Sequence, residues 1–164
     1  MKVASRWITA LLIPLLLTIP GGCGFFDSDS SKSSSYNRGK LCSEFSEFFK
    51  SELSLNVQEY DMGDFDKPIG WTSACFPSRA GGLAAGELSM IAASSEGDQM
   101  ASASFELQKG FAEEAWLAPG NKFRVQAGEW VGRMEISNME LTDEQTRKAI
   151  EFLVRVTQDV RDAA

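Results

Sequence analysis

The chain has 164 residues, of which 43% are apolar and 24% are charged, an ordinary composition for one globular domain. It contains no histidine, which excludes Ser-His-Asp and Cys-His nucleophiles and imidazole metal ligands. The formal net charge of −7 argues against nucleic acid as a partner, because nucleic-acid binders usually carry a basic patch. We therefore expect a protein without a cofactor, without a metal and without enzymatic activity.

Residues 1–22 have the three parts of an export signal. Lys2 and Arg6 form a basic start, and an apolar run of 14 residues follows from Trp7 to Pro20. A membrane-spanning helix needs about 20 apolar residues, so a cleaved signal peptide is favoured. A retained single-span anchor is the alternative.

The segment Leu17–Cys23 resembles the lipobox of bacterial lipoproteins, in which cysteine is the first residue after cleavage. Gly22 and Gly24 fit that pattern, whereas Pro20 stands where the family usually has leucine. The resemblance implies lipidation of Cys23 with palmitate-type acyl chains and attachment to the extracytoplasmic face of the cell membrane. Two acyl chains anchor stably, because each buried methylene contributes about 0.8 kcal/mol.

A flexible tether is predicted to join this anchor to the folded domain. Six serines and no apolar residue lie between Asp27 and Ser35, a composition typical of linkers. We assign residues 23–39 to the lipid anchor and tether, and residues 40–164 to one globular domain.

The cysteine count agrees with export. If Cys23 carries lipid, Cys42 and Cys75 are the two cysteines left, and an oxidising compartment allows them to form a disulfide. Two free buried thiols are the alternative.

The hydrophobic pattern predicts an α+β fold, an antiparallel sheet of about five strands with an N-terminal and a C-terminal helix packed on one face. In the first helix, the spacing places Cys42, Phe45, Phe49 and Leu53 on one face. A capping box of Thr142 and Gln145 begins the last helix. The other predicted elements are strands at 55–59, 71–76, 87–94 and 100–108, a helical turn within 111–117, and a hairpin of 122–126 and 129–137.

Two of these elements carry a clear buried face. In the strand at 100–108, strict alternation predicts that Phe105 and Leu107 point inward with Ala101 and Ala103. The buried stripe of the last helix is predicted to contain Ile150, Leu153, Val154, Thr157 and Val160, widened by Phe152 and Val156.

This layout resembles a family of actinobacterial-type envelope lipoproteins of unknown function. Its members have a lipobox, a serine-rich tether, a cysteine in the first helix, a second cysteine in the first strand, and a hairpin before a C-terminal helix. The corresponding segments here are Leu41-Cys42, Ser73-Ala74-Cys75 and 123–129. The resemblance implies an envelope location, and it brings no activity with it.

Two groups of acidic residues are candidates for a functional site. Asp61, Asp64 and Asp66 lack the spacing of a calcium loop and are typical of a solvated acidic turn. Glu113 and Glu114 are adjacent carboxylates, although neighbours on a helix point in different directions.

Tryptophans are the residues most suited to contact a partner or a ligand. Trp71, beside the cysteine strand, is expected in the core, and Trp116 and Trp130 are the candidate contact residues. The sequence thus predicts a lipoprotein with a non-catalytic domain that binds an envelope protein or a small apolar ligand. The alternatives are an envelope hydrolase that uses paired carboxylates, and a structural or assembly subunit of an envelope complex.

Overall fold

The computed structural model describes residues 36–59, 65–70, 72–95 and 104–164. The predicted signal peptide, Cys23, Trp71 and two of the three clustered aspartates lie outside these residues. The helices are α1 (Arg38–Glu52) and α2 (Asp143–Ala163). The strands are β1 (Val57–Glu59), β2 (Thr72–Cys75), β3 (Pro77–Arg79), β4 (Gly86–Ala92), β5 (Glu106–Gln108), β6 (Glu114–Ala118), β7 (Lys122–Ala127) and β8 (Trp130–Ile136).

Six strands form one antiparallel sheet in the order β2-β4-β8-β7-β6-β5, and β1 pairs with β3 in a small separate sheet. Both helices pack on one face of the six-stranded sheet. The predicted α+β class and its two flanking helices are therefore confirmed. The sheet has one strand more than the predicted five, and the small β1-β3 sheet is additional.

The predicted helical turn within 111–117 is wrong, because Glu114–Ala118 forms strand β6. The sequence Ala-Glu-Glu-Ala-Trp-Leu-Ala favours a helix locally. In the fold, however, β6 pairs with β5 on one side and with β7 on the other, and Ala115 is fully buried. The pairing of β6 on both of its edges and the burial of Ala115 therefore outweigh the local preference for a helix.

The core lies between the sheet and the two helices. The predicted inward residues of α1 and the predicted stripe of α2 are all buried, as are the strand residues that face them. The rings of Phe48 and Phe152 stack across the two helices with centroids 4.7 Å apart, and Phe45 lies 6.0 Å from Phe152. These aromatic contacts join α1 to α2 over the sheet.

A disulfide between Cys42 and Cys75 connects α1 to β2 inside this core. Both cysteines are fully buried, and they are separated by 33 residues in the chain. The predicted disulfide is therefore confirmed, and the alternative of two free thiols is wrong.

Close packing of α2 on the sheet depends on Gly132 in β8. A Cβ at this position would overlap Thr157 Oγ1 and would lie 3.0 Å from Leu153 Cδ1. The absence of a side chain at Gly132 therefore sets how near the helix approaches the sheet.

The start of each helix is capped by a side chain. In α2 the predicted capping box is confirmed, because Gln145 N donates to Thr142 Oγ1 at 3.2 Å and Thr142 N donates to Gln145 Oε1 at 3.0 Å. In α1 the cap is Asn37, whose Oδ1 accepts from Lys40 N at 2.9 Å. Within the described residues, no helix is long and apolar enough to cross a membrane.

Candidate functional site

The face of the sheet opposite the helices carries the candidate site. Residues paired directly across antiparallel strands point to the same face, so the register defines rows of side chains. One row runs from β5 to β8 and contains Leu107, Trp116, Arg124 and Arg133. We call these four residues the Trp116 row.

The most exposed residue of this row lies on β5, the edge strand. Arg124 is 6% exposed, and its neighbour Val131 on the same face is fully buried. Trp116 and Arg133 are half-buried. Leu107 is 56% exposed, and it is one of two large apolar side chains that are exposed among the described residues. The accessible part of the site therefore lies at the β6-β5 margin.

The position of Leu107 corrects the prediction that it points inward. Of the predicted strand at 100–108, the described part forms β5 over Glu106–Gln108, and Leu107 pairs with Trp116 on the face without helices. The strand prediction is confirmed for Glu106–Gln108. The predicted buried side is wrong, because an edge strand need not place its apolar residues toward the core.

The indole of Trp116 is supported by Arg124. The guanidinium carbon of Arg124 lies 4.5 Å from the centroid of the Trp116 ring, and Nη2 donates to Gln126 Oε1 at 3.2 Å. A guanidinium over an indole at this distance is a favourable cation–π contact. The half-buried indole therefore packs against Arg124 and lies beside exposed Leu107.

The same row brings two positive charges together. Arg124 and Arg133 are direct cross-strand partners on β7 and β8. The register of β7 with β8 therefore brings both guanidinium side chains to this face of the sheet.

Trp130 occupies a different environment from Trp116. It begins β8 on the face that the helices cover, where it packs half-buried against the core cluster. The two tryptophans predicted as contact residues therefore lie on opposite faces of the sheet and do not form one site. Of the two, Trp116 adjoins an exposed apolar neighbour.

The paired carboxylates diverge. Glu113 Oε1 accepts from Gln158 Nε2 at 2.9 Å and from Arg161 Nη1 at 2.8 Å, which ties this residue to α2. Glu114 is exposed and belongs to the opposite face, in register with Gln126. The two side chains do not converge on a cleft as glycoside hydrolysis requires. No group of three or more metal-binding side chains occurs in the described part of the chain.

A polar cluster between the helices was not anticipated from the sequence. Tyr36, which lies within the predicted tether, is 2% exposed, and its hydroxyl donates to Glu44 Oε2 at 3.1 Å. Arg155 Nη1 donates to the same oxygen at 2.7 Å. Burial, with the nearby Glu44 carboxylate as a further cause, raises the pKa of Tyr36 far above its usual value. The sequence feature that indicates this cluster is a tyrosine directly after a serine-rich segment.

Beside this cluster, the outer sides of the helices form a groove with Phe48 and Phe152 at its floor. Its rim is occupied by ion pairs, including Lys148 with Glu52 at 2.8 Å. These charges satisfy one another, so the groove is better explained by the packing of α1 on α2 than by ligand binding.

Comparison of the chain with protein-family models, with curated proteins and with solved structures yields no match to any of them.

Proposed function

We propose that this protein is a lipid-anchored lipoprotein on the extracytoplasmic face of the cell membrane, and that its domain binds a partner protein or a small apolar ligand without catalysis. The observation that carries the binding role is the Trp116 row, where a half-buried indole lies beside an exposed leucine at the edge of the sheet.

The cysteines support the proposed location. The Cys42–Cys75 disulfide accounts for two of the three cysteines in the chain. Disulfides persist mainly in oxidising compartments outside the cytosol. The third cysteine, Cys23, stands at the end of the lipobox-like segment, where a thiol that receives lipid is expected.

The composition of the row supports the proposed binding role. Tryptophan and arginine are the residues most enriched at positions that dominate binding energy. In the Trp116 row, Trp116 lies beside exposed Leu107, and Arg124 contacts the indole. Contact with Arg124 restricts the indole, which lowers the side-chain entropy that is lost when a partner contacts it.

Intact mass measurement of the native protein tests the location. We expect the mass of a chain that begins at Cys23, increased by lipid and reduced by the two hydrogens lost in the disulfide. A chain that retains its first 22 residues, or a processed chain without acyl groups, would contradict the proposed anchor.

A matched pair of leucine variants tests the binding surface. Leu107 and Leu83 are 56% and 65% exposed, and Leu83 lies in the loop between β3 and β4, outside the row. After cross-linking on intact cells, Leu107→Ser is expected to lose the partners that the wild-type chain captures, whereas Leu83→Ser retains them. Equal capture by both variants would show that the row is not the binding surface.

A further inference from the structure

We propose that the outer edge of β5 binds a second copy of this chain, with the two β5 strands antiparallel and Leu107 opposite Leu107 of the second copy. The inference goes beyond the proposed function, because it concerns the edge of the sheet and requires no other protein or ligand. In this dimer the six-stranded sheets of the two copies continue into each other, and a two-fold axis perpendicular to the sheet keeps all helices on one side.

The two edges of the six-stranded sheet differ in what contacts them. At the β2 edge, Ala74 O accepts from Arg38 Nε at 2.9 Å, so α1 already engages this strand. In the described part of the chain, no strand pairs with the outer side of β5. Glu106 O of β5 accepts from the side-chain amide of Gln108 at 3.1 Å, a bond between exposed groups of one strand. Backbone groups at such an edge are a template for another strand.

The segment 105–109 is complementary to itself when it pairs antiparallel about Leu107. The residues directly opposed are then Leu107 with Leu107, Glu106 with Gln108, and Phe105 with Lys109. The amide of Gln108 can donate to the carboxylate of Glu106 in the other copy. The ammonium group of Lys109 can lie against the ring of Phe105 in the other copy. Symmetry makes both of these contacts twice, and no two like charges are opposed.

The neighbouring symmetric registers lose this complementarity. A register centred on Glu106 opposes two carboxylates, and like charges directly across a strand pair are destabilising. A register centred on Gln108 opposes the apolar Leu107 to the cationic Lys109. The side chains therefore favour the register centred on Leu107.

The central residue of this register is the one whose exposure the dimer reduces. Leu107 is 56% exposed and is paired with Trp116 on the face without helices. Opposed Cβ atoms in antiparallel strands are about 4.5–5.5 Å apart, so the two leucines contact each other. The dimer thus joins the Trp116 rows of two copies end to end. Because stable interfaces use about 20–30 residues a side, this short segment is expected to associate weakly.

Disulfide trapping in the purified full chain tests the pairing, because it captures a weak association. Leu107→Cys places two thiols opposite each other, within the separation that a disulfide allows. Leu83→Cys is the matched control, since Leu83 is 65% exposed in the loop between β3 and β4. In nonionic detergent with a mild oxidant, Leu107→Cys is expected to form cross-linked dimers at least about tenfold faster, because pairing raises the effective concentration of the thiols. Wild-type protein gives the background from Cys23, its one cysteine outside the disulfide.

Two more variants test the register. In the proposed pairing, position 106 lies opposite position 108, whereas two copies of either position are offset by about 7 Å along the strands. Glu106→Cys and Gln108→Cys are therefore each expected to cross-link slowly alone. An equimolar mixture of the two is expected to cross-link severalfold faster than either variant, as a heterodimer.

Equal cross-linking rates for Leu107→Cys and Leu83→Cys would overturn the dimer. Fast cross-linking of Leu107→Cys without a gain in the mixture of Glu106→Cys and Gln108→Cys would overturn the antiparallel strand pairing. Both measurements use the purified chain alone. The serine variants of the two leucines and the mass measurement therefore decide the proposed function independently of either result.

Discussion

At the scale of single residues, the carboxylate of Glu44 accepts hydrogen bonds that connect Tyr36, at the start of the domain, and α2 to α1. It lies on α1, receives the hydroxyl of Tyr36 and pairs with Arg155 of α2. Because Tyr36 is buried against this carboxylate, its neutral form is strongly favoured in the folded state and its pKa is raised. The free energy of unfolding is therefore expected to change with pH in the alkaline range.

The sign of this dependence follows from the direction of the shift. In the unfolded chain Tyr36 ionises near its ordinary pKa of about 10, whereas in the folded protein it stays protonated. Its contribution is present below pH 10 and is lost above it, by up to about 1.4 kcal/mol per pH unit. Tyr36→Phe is expected to be less stable by about 1–3 kcal/mol at pH 7, with a difference from wild type that shrinks above pH 10. Urea unfolding across this range measures both curves, and parallel curves would contradict the prediction.

Gly132 gives a second prediction at this scale. Because a methyl group there overlaps Thr157, Gly132→Ala is expected to destabilise the domain by about 1–3 kcal/mol through overpacking. Gly70→Ala is the matched control, since no atom lies within 4 Å of a Cβ at Gly70. Thermal unfolding should show a clear loss for Gly132→Ala and little change for Gly70→Ala. A similar melting temperature for both variants would argue against the close contact of α2 with β8.

At the scale of elements, the cap of α2 can be tested by one substitution. Thr142→Ala removes the hydroxyl that accepts from Gln145 N and is expected to cost about 1 kcal/mol. Thr146→Ala makes the same chemical change inside the helix, where alanine has the higher helix propensity, and should leave stability unchanged or slightly raised. Chemical denaturation of the two variants measures the difference. Equal losses would mean that the hydroxyl of Thr142 does not act as a cap.

The two helices and the β7-β8 hairpin could be predicted because their sequences carry their own periodicity and boundary signals. The capping box of Thr142 and the hairpin turn at Gly128 are local features. Strand β6 could not be predicted in this way, because its residues favour a helix and become a strand through pairing with β5 and β7. The side to which Leu107 points depends on the same long-range pairing.

The candidate site likewise combines a residue that local sequence features indicate with residues whose positions depend on long-range strand pairing. Trp116 could be singled out as a large aromatic residue next to a turn. Arg124 could not, because a charged residue in a strand is usually solvated, and its burial on the indole depends on the register of β6 with β7. The opposed pair of Arg124 and Arg133 likewise exists only through the register of β7 with β8.

At the scale of the whole molecule, the disulfide limits how far the chain can expand when it unfolds. Closure of a 33-residue interval stabilises a fold by about 3–4 kcal/mol in the chain-entropy description. The double substitution of Cys42 and Cys75 by alanine is therefore expected to lower the free energy of unfolding by about this amount. Wild-type protein unfolded in the presence of a reductant provides the comparison, and it should approach the stability of the double variant. An unchanged unfolding free energy would contradict the prediction.

The same covalent link has a consequence for protease treatment. Any single cleavage between Cys42 and Cys75 divides the polypeptide into two pieces that stay joined by their sulfur atoms. On a gel without reducing agent such a nicked molecule migrates as one species, and with reducing agent it separates into two. A nick before Cys42 or after Cys75 gives two fragments under both conditions, so a pair of denaturing gels shows whether each cut lies between the two cysteines or outside them.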